Sequence, residues 1–162
     1  PAGVERAGTP EAADFALTLT PEGGALHLVP PIGVLGVGCR RGTTAERLEE
    51  AFSAFCASSG LSPAAVSAAA SIDLKKEEPG LAQFCEAHGW PITFYSADQL
   101  RAVPGQFTPS AFVAGVTGVD NVCERAAAKA SGGALLLPKT AGGGVTLALA
   151  VRPFAPDWRT EQ

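Results

Sequence analysis

The fold is decided by residues 32–60, IGVLGVGCRRGTTAERLEEAFSAFCASSG. The uncharged run 32–38 predicts a buried strand. Thr43 followed by Glu46 is the pattern of a capping box at the start of a helix, and the apolar residues of 48–56 recur at helical spacing. The stretch therefore predicts a strand that leads through a glycine-rich turn into an amphipathic helix.

Strand-like and helix-like patterns alternate along the rest of the chain, and two strands follow at the end. Further strands are predicted at 66–72, 92–95, 134–137 and 145–151, and further helices at 79–88, 96–100 and 119–130. The glycine-rich segment 140–144 predicts a loose turn between the last two strands. This order predicts an α/β fold: a three-layer α/β/α domain with a mixed sheet that ends in an antiparallel hairpin.

The length of the chain, 162 residues, fits one domain. We expect residues 1–31 to form an N-terminal tail with an edge hairpin between strands at 15–19 and 25–29. Residues 32–151 then form the domain, and residues 152–162 form a C-terminal tail.

The composition argues against several classes of protein. A formal net charge of -4 argues against a nucleic-acid binder that neutralises phosphates. No apolar run reaches the roughly 18 residues that a membrane span needs. The four cysteines have neither a C-x-x-C pair nor zinc-ligand spacing, which predicts reduced thiols and no bound metal. We therefore expect a cytoplasmic protein that binds neither nucleic acid nor membrane.

The turn after the first long strand is a candidate anion site. A helix N-terminus offers backbone N–H groups, and the two arginines beside it suit a phosphate or a carboxylate. Its glycines begin a G-x-G-x-x-G pattern, but an arginine stands at the third glycine position, so we expect no nucleotide cofactor. A tight turn with solvated arginines is the alternative interpretation. The residues in question are Gly36, Gly38, Cys39, Arg40, Arg41 and Thr43.

Two further groups of polar residues follow predicted strands. Asp73, Lys75 and Glu78 come after the second long strand, and ligands of open α/β sheets bind beyond the carboxyl ends of the strands. A solvated helix start is the alternative for this charged run. Lys139 is expected at a strand tip, whereas Asp120 is expected only to cap a helix. The hydroxyls near Lys139 belong to Thr140 and Thr146.

Five segments along the chain occur together in one order. They are Gly36–Thr43, Ser71–Leu81, Tyr95–Leu100, Thr117–Asp120 with Glu124, and Leu136–Thr140 with Gly144–Thr146. As a set they resemble the CbiG C-terminal/CobE family of cobalamin (vitamin B12) biosynthesis proteins. The resemblance covers residues 32–151.

The resemblance implies a three-layer α/β fold and a role in building the corrin ring, whose tetrapyrrole intermediates carry many acetate and propionate carboxylates. For CbiG proteins it further implies that water opens the ring-A δ-lactone of cobalt-precorrin-5A, with release of acetaldehyde. CbiG enzymes carry an additional N-terminal domain, which residues 1–31 are too short to supply. Hydrolase activity is therefore expected only together with that domain, and stand-alone CobE proteins belong to the aerobic route.

The residues and the resemblance lead to one hypothesis, in which a crevice at the strand ends binds the carboxylates of a precorrin or cobalt-precorrin. For lactone opening, Asp73 or Glu78 is the predicted base, and Lys75 or Lys139 stabilises the oxyanion. Two alternatives stay open: a non-catalytic carrier that passes intermediates to other corrin-pathway enzymes, and an interaction module. The predicted binding residues, with no cofactor or metal, are Gly36, Gly38, Cys39, Arg40, Arg41, Thr43, Lys75, Thr117, Gly118, Lys139, Thr140 and Thr146.

Overall fold

The computed structural model describes residues 5, 7–9, 12–23, 26–109 and 119–156. The strands in these ranges are β1 (Phe15–Leu17), β2 (Leu26–Leu28), β3 (Gly33–Cys39), β4 (Val66–Ile72), β5 (Ile92–Tyr95), β6 (Ala134–Gly142) and β7 (Val145–Val151). The α-helices are α1 (Ala45–Ser59), α2 (Pro79–His88), α3 (Ala97–Arg101) and α4 (Val122–Ser131), with 3-10 helices at Pro63–Ala65 and Asp73–Lys75. Within the described residues, no helix is long and apolar enough to cross a membrane.

Five strands form one mixed sheet in the order β5-β4-β3-β7-β6. Strands β3, β4 and β5 are parallel, whereas β7 runs antiparallel to both β3 and β6. The carboxyl ends of β3, β4, β5 and β6 therefore meet along one side of the sheet, which we call the carboxyl edge. The predicted α/β fold with a mixed sheet and a final hairpin is confirmed.

Helices cover both faces of this sheet. Side chains of β3 alternate between two cores: Leu35 and Val37 pack with α1 and α2, and Val34 packs with α3 and α4. The first core also contains Phe52 of α1 and Phe84 of α2, whose ring centroids are 6.0 Å apart. The three predicted layers are present, and we call the two sides of the sheet the α1–α2 face and the α4 face.

Gly36 allows the first turn of α4 to approach the sheet. A Cβ atom at this position would overlap the carbonyl oxygen of Cys123 and lie 3.0 Å from the Cβ of Ala127. On the same face, a Cβ atom at Gly38 would overlap the hydroxyl of Thr146. The two glycines that resemble a dinucleotide pattern are therefore explained by close packing in this fold.

The cap of α1 differs from the predicted one by a single residue. Thr44 precedes the helix, and its Oγ1 accepts a hydrogen bond from the backbone N–H of Arg47 at 3.3 Å. The hydroxyl of Thr43 instead donates to the carbonyl of Arg40 at 2.8 Å. With two threonines in succession, the conformation of the turn decides which one caps the helix.

The cap of α4 is Asn121 rather than the predicted Asp120. The Oδ1 atom of Asn121 accepts the backbone N–H of Glu124 at 3.0 Å. Asp120 instead pairs with Arg125, with 2.7 Å between its carboxylate and the guanidinium. The φ angle of Asn121 is 111°, a left-handed value that is uncommon outside glycine and that asparagine tolerates better than most residues.

The N-terminal strands do not form the predicted hairpin. β1 and β2 are parallel and make a separate two-stranded sheet, with Phe15 opposite Leu26 and Leu17 opposite Leu28. A hairpin requires antiparallel neighbours, so this prediction was wrong. Alternating apolar residues indicate strands but do not specify the direction in which two strands pair.

The final hairpin has a tighter turn than predicted. β6 extends to Gly142, so only Gly143 and Gly144 connect it to β7. Their φ angles are +57° and +82°, and a two-residue type I′ turn requires positive values at both positions. Residues 140–142, which we predicted as part of a loose turn, therefore belong to the strand.

We expect Gly36→Ala to lower the free energy of unfolding by about 1–3 kcal/mol, because the new methyl group forces α4 away from the sheet. Urea denaturation followed by circular dichroism measures this change. Gly142→Ala is the control, because a Cβ atom there has no neighbour within 4 Å. Equal stability of the two variants would show that α4 is not seated on β3 as described.

Candidate functional site

The turn between β3 and α1 lies at the carboxyl edge and is joined to the β6–β7 hairpin. The backbone N–H of Arg40 donates to the carbonyl of Gly144 at 3.0 Å, and the N–H of Thr43 donates to the carbonyl of Arg40 at 3.3 Å. The Arg40 side chain passes over Gly144, where a Cβ atom would lie 2.9 Å from its Cδ. The predicted residues Gly38, Cys39, Arg40 and Thr43 are thereby gathered around the end of β3.

Glu78 supplies an anion to this turn from within the chain. Its buried carboxylate accepts the backbone N–H of Gly42 at 2.8 Å and lies 3.4 Å from the Nζ of Lys75. The hydrogen bond from Gly42 is the main cause of the lowered pKa of Glu78; burial opposes it, and the charge of Lys75 adds to it. At Gly42, the predicted anion position is therefore filled by a side chain of the protein.

The three predicted catalytic residues have different surroundings. The lowered pKa of Glu78 makes its carboxylate a weak base at neutral pH. Lys75 is half-buried and paired with Glu78. Asp73 is exposed at the end of β4. Of the two candidate bases, Asp73 therefore has the accessible carboxylate, and its role in activating water stays a prediction.

Cys39 is a packing residue of the turn. It is half-buried at the end of β3 and contacts the core on the α1–α2 face. Burial raises the pKa of its thiol above 9.0, and this effect exceeds the opposing effect of the Lys75 charge. At neutral pH the thiol is therefore protonated and is a poor nucleophile.

Three of the predicted cations lie at the carboxyl edge: Arg40 and Arg41 are exposed in the turn, and Lys75 beside it is half-buried. The prediction that Lys139 lies at a strand tip was wrong, because β6 continues to Gly142; Lys139 lies within the strand, three residues before its end, and is half-buried. In the part of the chain that the structure describes, no carboxylate forms an ion pair with Arg40, Arg41 or Lys139. These three charges are therefore available to an external anion.

Of the remaining predicted binding residues, two lie on the final hairpin and two lie outside the described residues. Thr146 of β7 donates its hydroxyl to the carbonyl of Gly38 at 3.4 Å, and Thr140 is exposed on β6. Thr117 and Gly118 lie outside the described residues. Within the described ranges, no group of three His, Cys, Asp or Glu side chains is arranged to hold a metal ion.

A buried carboxylate that the sequence analysis did not select as a site residue lies at the start of α4. Glu124 is fully buried, and its Oε1 accepts the backbone N–H of Lys139 at 2.6 Å. Thr108 donates both its N–H and its hydroxyl to this carboxylate, at 2.9 and 2.8 Å. The side-chain amide of Asn121 donates to the carbonyl of Thr108 at 2.9 Å. Helix α4 is thereby joined to β6 and to the segment before residue 109.

The charge of Glu124 is stabilised by these hydrogen bonds. Burial by itself raises the pKa of a carboxyl, because it disfavours the charged form. The hydrogen bonds from Lys139 and Thr108 together outweigh burial and hold the pKa of Glu124 below 4.5. Since both oxygen atoms already accept hydrogen bonds, Glu124 is a structural anchor and not a free acid or base.

The sequence does contain one signal of this anchor. Asn121 and Glu124 are three residues apart, which is the spacing of a capping box. In a capping box the glutamate turns back to its own helix cap, whereas Glu124 bonds to Thr108 and Lys139, 16 and 15 residues away. The local pattern indicates a helix start but does not reveal these distant partners.

Comparison with known proteins identifies the family. The family model described as "Cobalamin synthesis G C-terminus" matches residues 33–150. The chain belongs to this family. The matched region contains the turn after β3 and its partner Glu78, as well as the anchor Glu124 and its partner Lys139.

Two curated relatives are similar to this chain, and the share of their own length that the chain covers differs between them. A cobalt-precorrin-5A hydrolase of Priestia megaterium is 36% identical over 134 residues, which are 82% of this chain and 35% of the hydrolase. Protein CobE of a Sinorhizobium species is 33% identical over 120 residues, which are 72% of this chain and 78% of CobE. The chain thus spans about a third of the length of the hydrolase and most of the length of CobE.

A solved structure shows the same fold. The crystal structure of CobE, a protein from the cobalamin biosynthetic pathway, superimposes with a TM-score of 0.67 at 35% sequence identity. The match covers 76% of this chain and 92% of the CobE chain. Our chain is therefore a cobalamin biosynthesis protein of the CbiG C-terminal/CobE type.

We expect Glu124→Gln to lower the free energy of unfolding at pH 7 by about 1–3 kcal/mol, because the new NH₂ group faces donors that need an acceptor. The folded-state pKa of Glu124 is lowered, so the carboxylate stabilises the fold above pH 4.5, and this contribution is lost as the pH falls through the folded-state pKa. The difference between wild type and variant should therefore shrink in acid. Urea denaturation at pH 7 and at several values below pH 4.5 measures it.

Glu86→Gln is the matched control, because Glu86 is exposed on α2. Its effect should stay within about 0.5 kcal/mol at every pH. A difference for Glu124→Gln that is the same at all pH values would contradict the assigned role of the ionised carboxylate.

Proposed function

We propose that the carboxyl edge binds a precorrin or cobalt-precorrin, a tetrapyrrole whose rim carries several carboxylates. The observation that supports this most is the exposure of Arg40 and Arg41 in the turn after β3, since their charges have no ion-pair partner among the described residues. Lys139, farther back on β6, also has no ion-pair partner among those residues. The chain as a whole is acidic, with a net charge of -4. Unpaired arginines at one edge therefore contrast with the overall charge balance and suit a polycarboxylate.

The surroundings of the turn favour binding over nucleophilic catalysis. Its thiol, Cys39, has a raised pKa, and Glu78 is engaged by a backbone N–H and by Lys75. A ligand carboxylate would meet exposed guanidinium groups at Arg40 and Arg41, where bidentate hydrogen bonds form readily. The proposed role is thus to hold an intermediate of the pathway in the cytoplasm and to pass it to other corrin-pathway enzymes.

Hydrolysis of the lactone of cobalt-precorrin-5A is the second candidate function. It is favoured by the similarity to the cobalt-precorrin-5A hydrolase, of which this chain covers 35%. In this function Asp73 activates water, because its carboxylate is exposed at the end of β4. Lys75 or Lys139 would then stabilise the oxyanion that develops on the lactone.

We expect the double variant Arg40→Ala/Lys139→Ala to weaken binding of uroporphyrin about tenfold or more. Uroporphyrin is a stable tetrapyrrole with acetate and propionate side chains. The expected loss follows because each charge-assisted hydrogen bond contributes about 1.5–3 kcal/mol and a factor of ten corresponds to about 1.4 kcal/mol. Fluorescence titration at low ionic strength measures the affinity, and the melting temperature should change little.

The control changes the net charge by the same amount at the opposite edge of the sheet, in Arg152→Glu. Arg152 follows the last residue of β7, and its guanidinium donates to the hydroxyl of Ser67 near the start of β4 at 2.6 Å. This control should bind uroporphyrin with nearly the wild-type affinity. Equal losses in the two variants would indicate a non-specific effect of net charge and would reject the carboxyl edge as the site.

For catalysis, we expect the chain on its own to bind cobalt-precorrin-5A without releasing acetaldehyde. Incubation of the two, followed by an enzymatic assay for acetaldehyde, tests this. Release of acetaldehyde by the wild type and its loss in Asp73→Asn would instead support the hydrolase function. Glu86→Gln is a suitable comparison, because its carboxylate is also exposed but lies near the C-terminal end of α2, away from the carboxyl edge at which that helix begins.

A further inference from the structure

The pairing of β6 with β7 is irregular at two places, between Leu135 and Leu137 and between Leu137 and Thr140, and the second is a β-bulge that includes Lys139. Leu137 pairs with Leu149 and Thr140 pairs with Leu147, so two residues of β6, Pro138 and Lys139, lie opposite the single residue 148 of β7. A bulge of this kind inserts one extra residue into a strand and re-aims the side chains that follow. Proline has no N–H to contribute to the ladder, so the bulge sits where a hydrogen bond is already lost.

The bulge decides which face of the sheet Lys139 occupies. Leu147 and Leu149 belong to the core on the α1–α2 face, so the residue between them in β7 faces α4. A regular strand would place Lys139, two residues after Leu137, on the α1–α2 face together with Leu137. Opposite residue 148, Lys139 lies on the α4 face instead.

Contacts with α4 agree with this placement. The thiol of Cys123 in the first turn of α4 has its pKa raised to about 11 by burial, and the charge of Lys139 acts on the same thiol in the opposite direction. The backbone of Lys139 also reaches α4, since its N–H donates to Glu124 at 2.6 Å. The first turn of α4 thus contacts the bulge directly.

Several contacts fix Glu124 in the position from which it accepts the Lys139 N–H. Its side chain is fully buried, and Thr108 supplies two more hydrogen bonds to the same carboxylate. Its backbone is fixed by Asn121, which keeps a left-handed φ of 111° and accepts the N–H of Glu124 at 3.0 Å. The partner of the Lys139 N–H therefore cannot move without breaking several contacts.

We propose that Glu124 is a positioning residue that pins the β6 bulge and so presents the Lys139 ammonium to the ligand from the α4 face. Without the carboxylate, β6 can continue as a regular ladder, with Lys139 opposite Leu147 and the extra residue taken up by the glycine-rich turn at 142–144. Lys139 then points to the α1–α2 face and no longer contributes to binding. This inference rests on the proposed binding of a polycarboxylate tetrapyrrole.

A double-mutant cycle on uroporphyrin binding tests the coupling. Glu124→Leu keeps a side chain of similar size but removes every acceptor, whereas the amide oxygen of a glutamine could still accept the Lys139 N–H. Lys139→Ala should weaken binding at least about threefold in the wild-type background and less than about twofold in the Glu124→Leu background. Arg40→Ala is the matched control, because Arg40 belongs to the proposed site but its backbone N–H bonds to Gly144 and not to Glu124. It should weaken binding by the same factor in both backgrounds. Circular dichroism confirms folding, and Glu124→Asp, whose shorter side chain withdraws from the Lys139 N–H, replaces Glu124→Leu if that variant does not fold.

The outcomes separate this inference from the proposed function. If Lys139→Ala costs as much in the Glu124→Leu background as in the wild type, the positioning role is overturned while binding at the carboxyl edge stands. If Glu124→Leu removes the effects of both Lys139→Ala and Arg40→Ala, the loss is general and the specific role is also overturned. If wild-type protein does not bind uroporphyrin, or if neither of these substitutions matters, the proposed function fails and the inference fails with it.

Discussion

The close contact between β3 and the first turn of α4 is the constraint on which the candidate site depends. Gly36 has no side chain, so the carbonyl of Cys123 rests directly on the strand. This contact brings Glu124 within hydrogen-bonding distance of the backbone of β6. A larger residue at position 36 would separate α4 from the sheet, and the bulge at Lys139 would lose its anchor.

Two buried carboxylates are held by backbone N–H groups. Glu78 accepts a backbone N–H from Gly42, and Glu124 accepts backbone N–H groups from Thr108 and Lys139. Such hydrogen bonds stabilise the ionised form. Glu78 also pairs with Lys75, whereas the arginines of the turn form no ion pair among the described residues and keep exposed charge. This exposed charge is the property that binding of a polycarboxylate would use.

The family match covers most of the chain, and a solved structure of the family has the same fold. The matched region, residues 33–150, contains the whole five-stranded sheet apart from the last residue of β7. It spans about a third of the cobalt-precorrin-5A hydrolase and most of CobE. The candidate site lies within this shared region, so its chemistry can be tested on the present chain in isolation from other parts of the hydrolase.

Much of the architecture could be predicted because it depends on local pattern. The run 32–38 and the helical spacing of 48–56 correctly predicted β3 and α1, and the final apolar segments predicted the hairpin. The resemblance carried by the glycine-rich turn and the later motifs identified the family. The predictions that failed, such as the direction of β2 and the cap of α4, depend on which distant group a residue meets.

By itself, the sequence determined the order of strands and helices and the mixed α/β class, because both are encoded in spacing over a few residues; its resemblance to known proteins identified the family. Only the tertiary structure decided that Glu78 fills the turn at Gly42 and that Glu124 holds the bulge at Lys139. These contacts join residues 36 and 15 positions apart. A hydrogen bond of this kind forms only when packing has brought its partners together, so no local pattern records it.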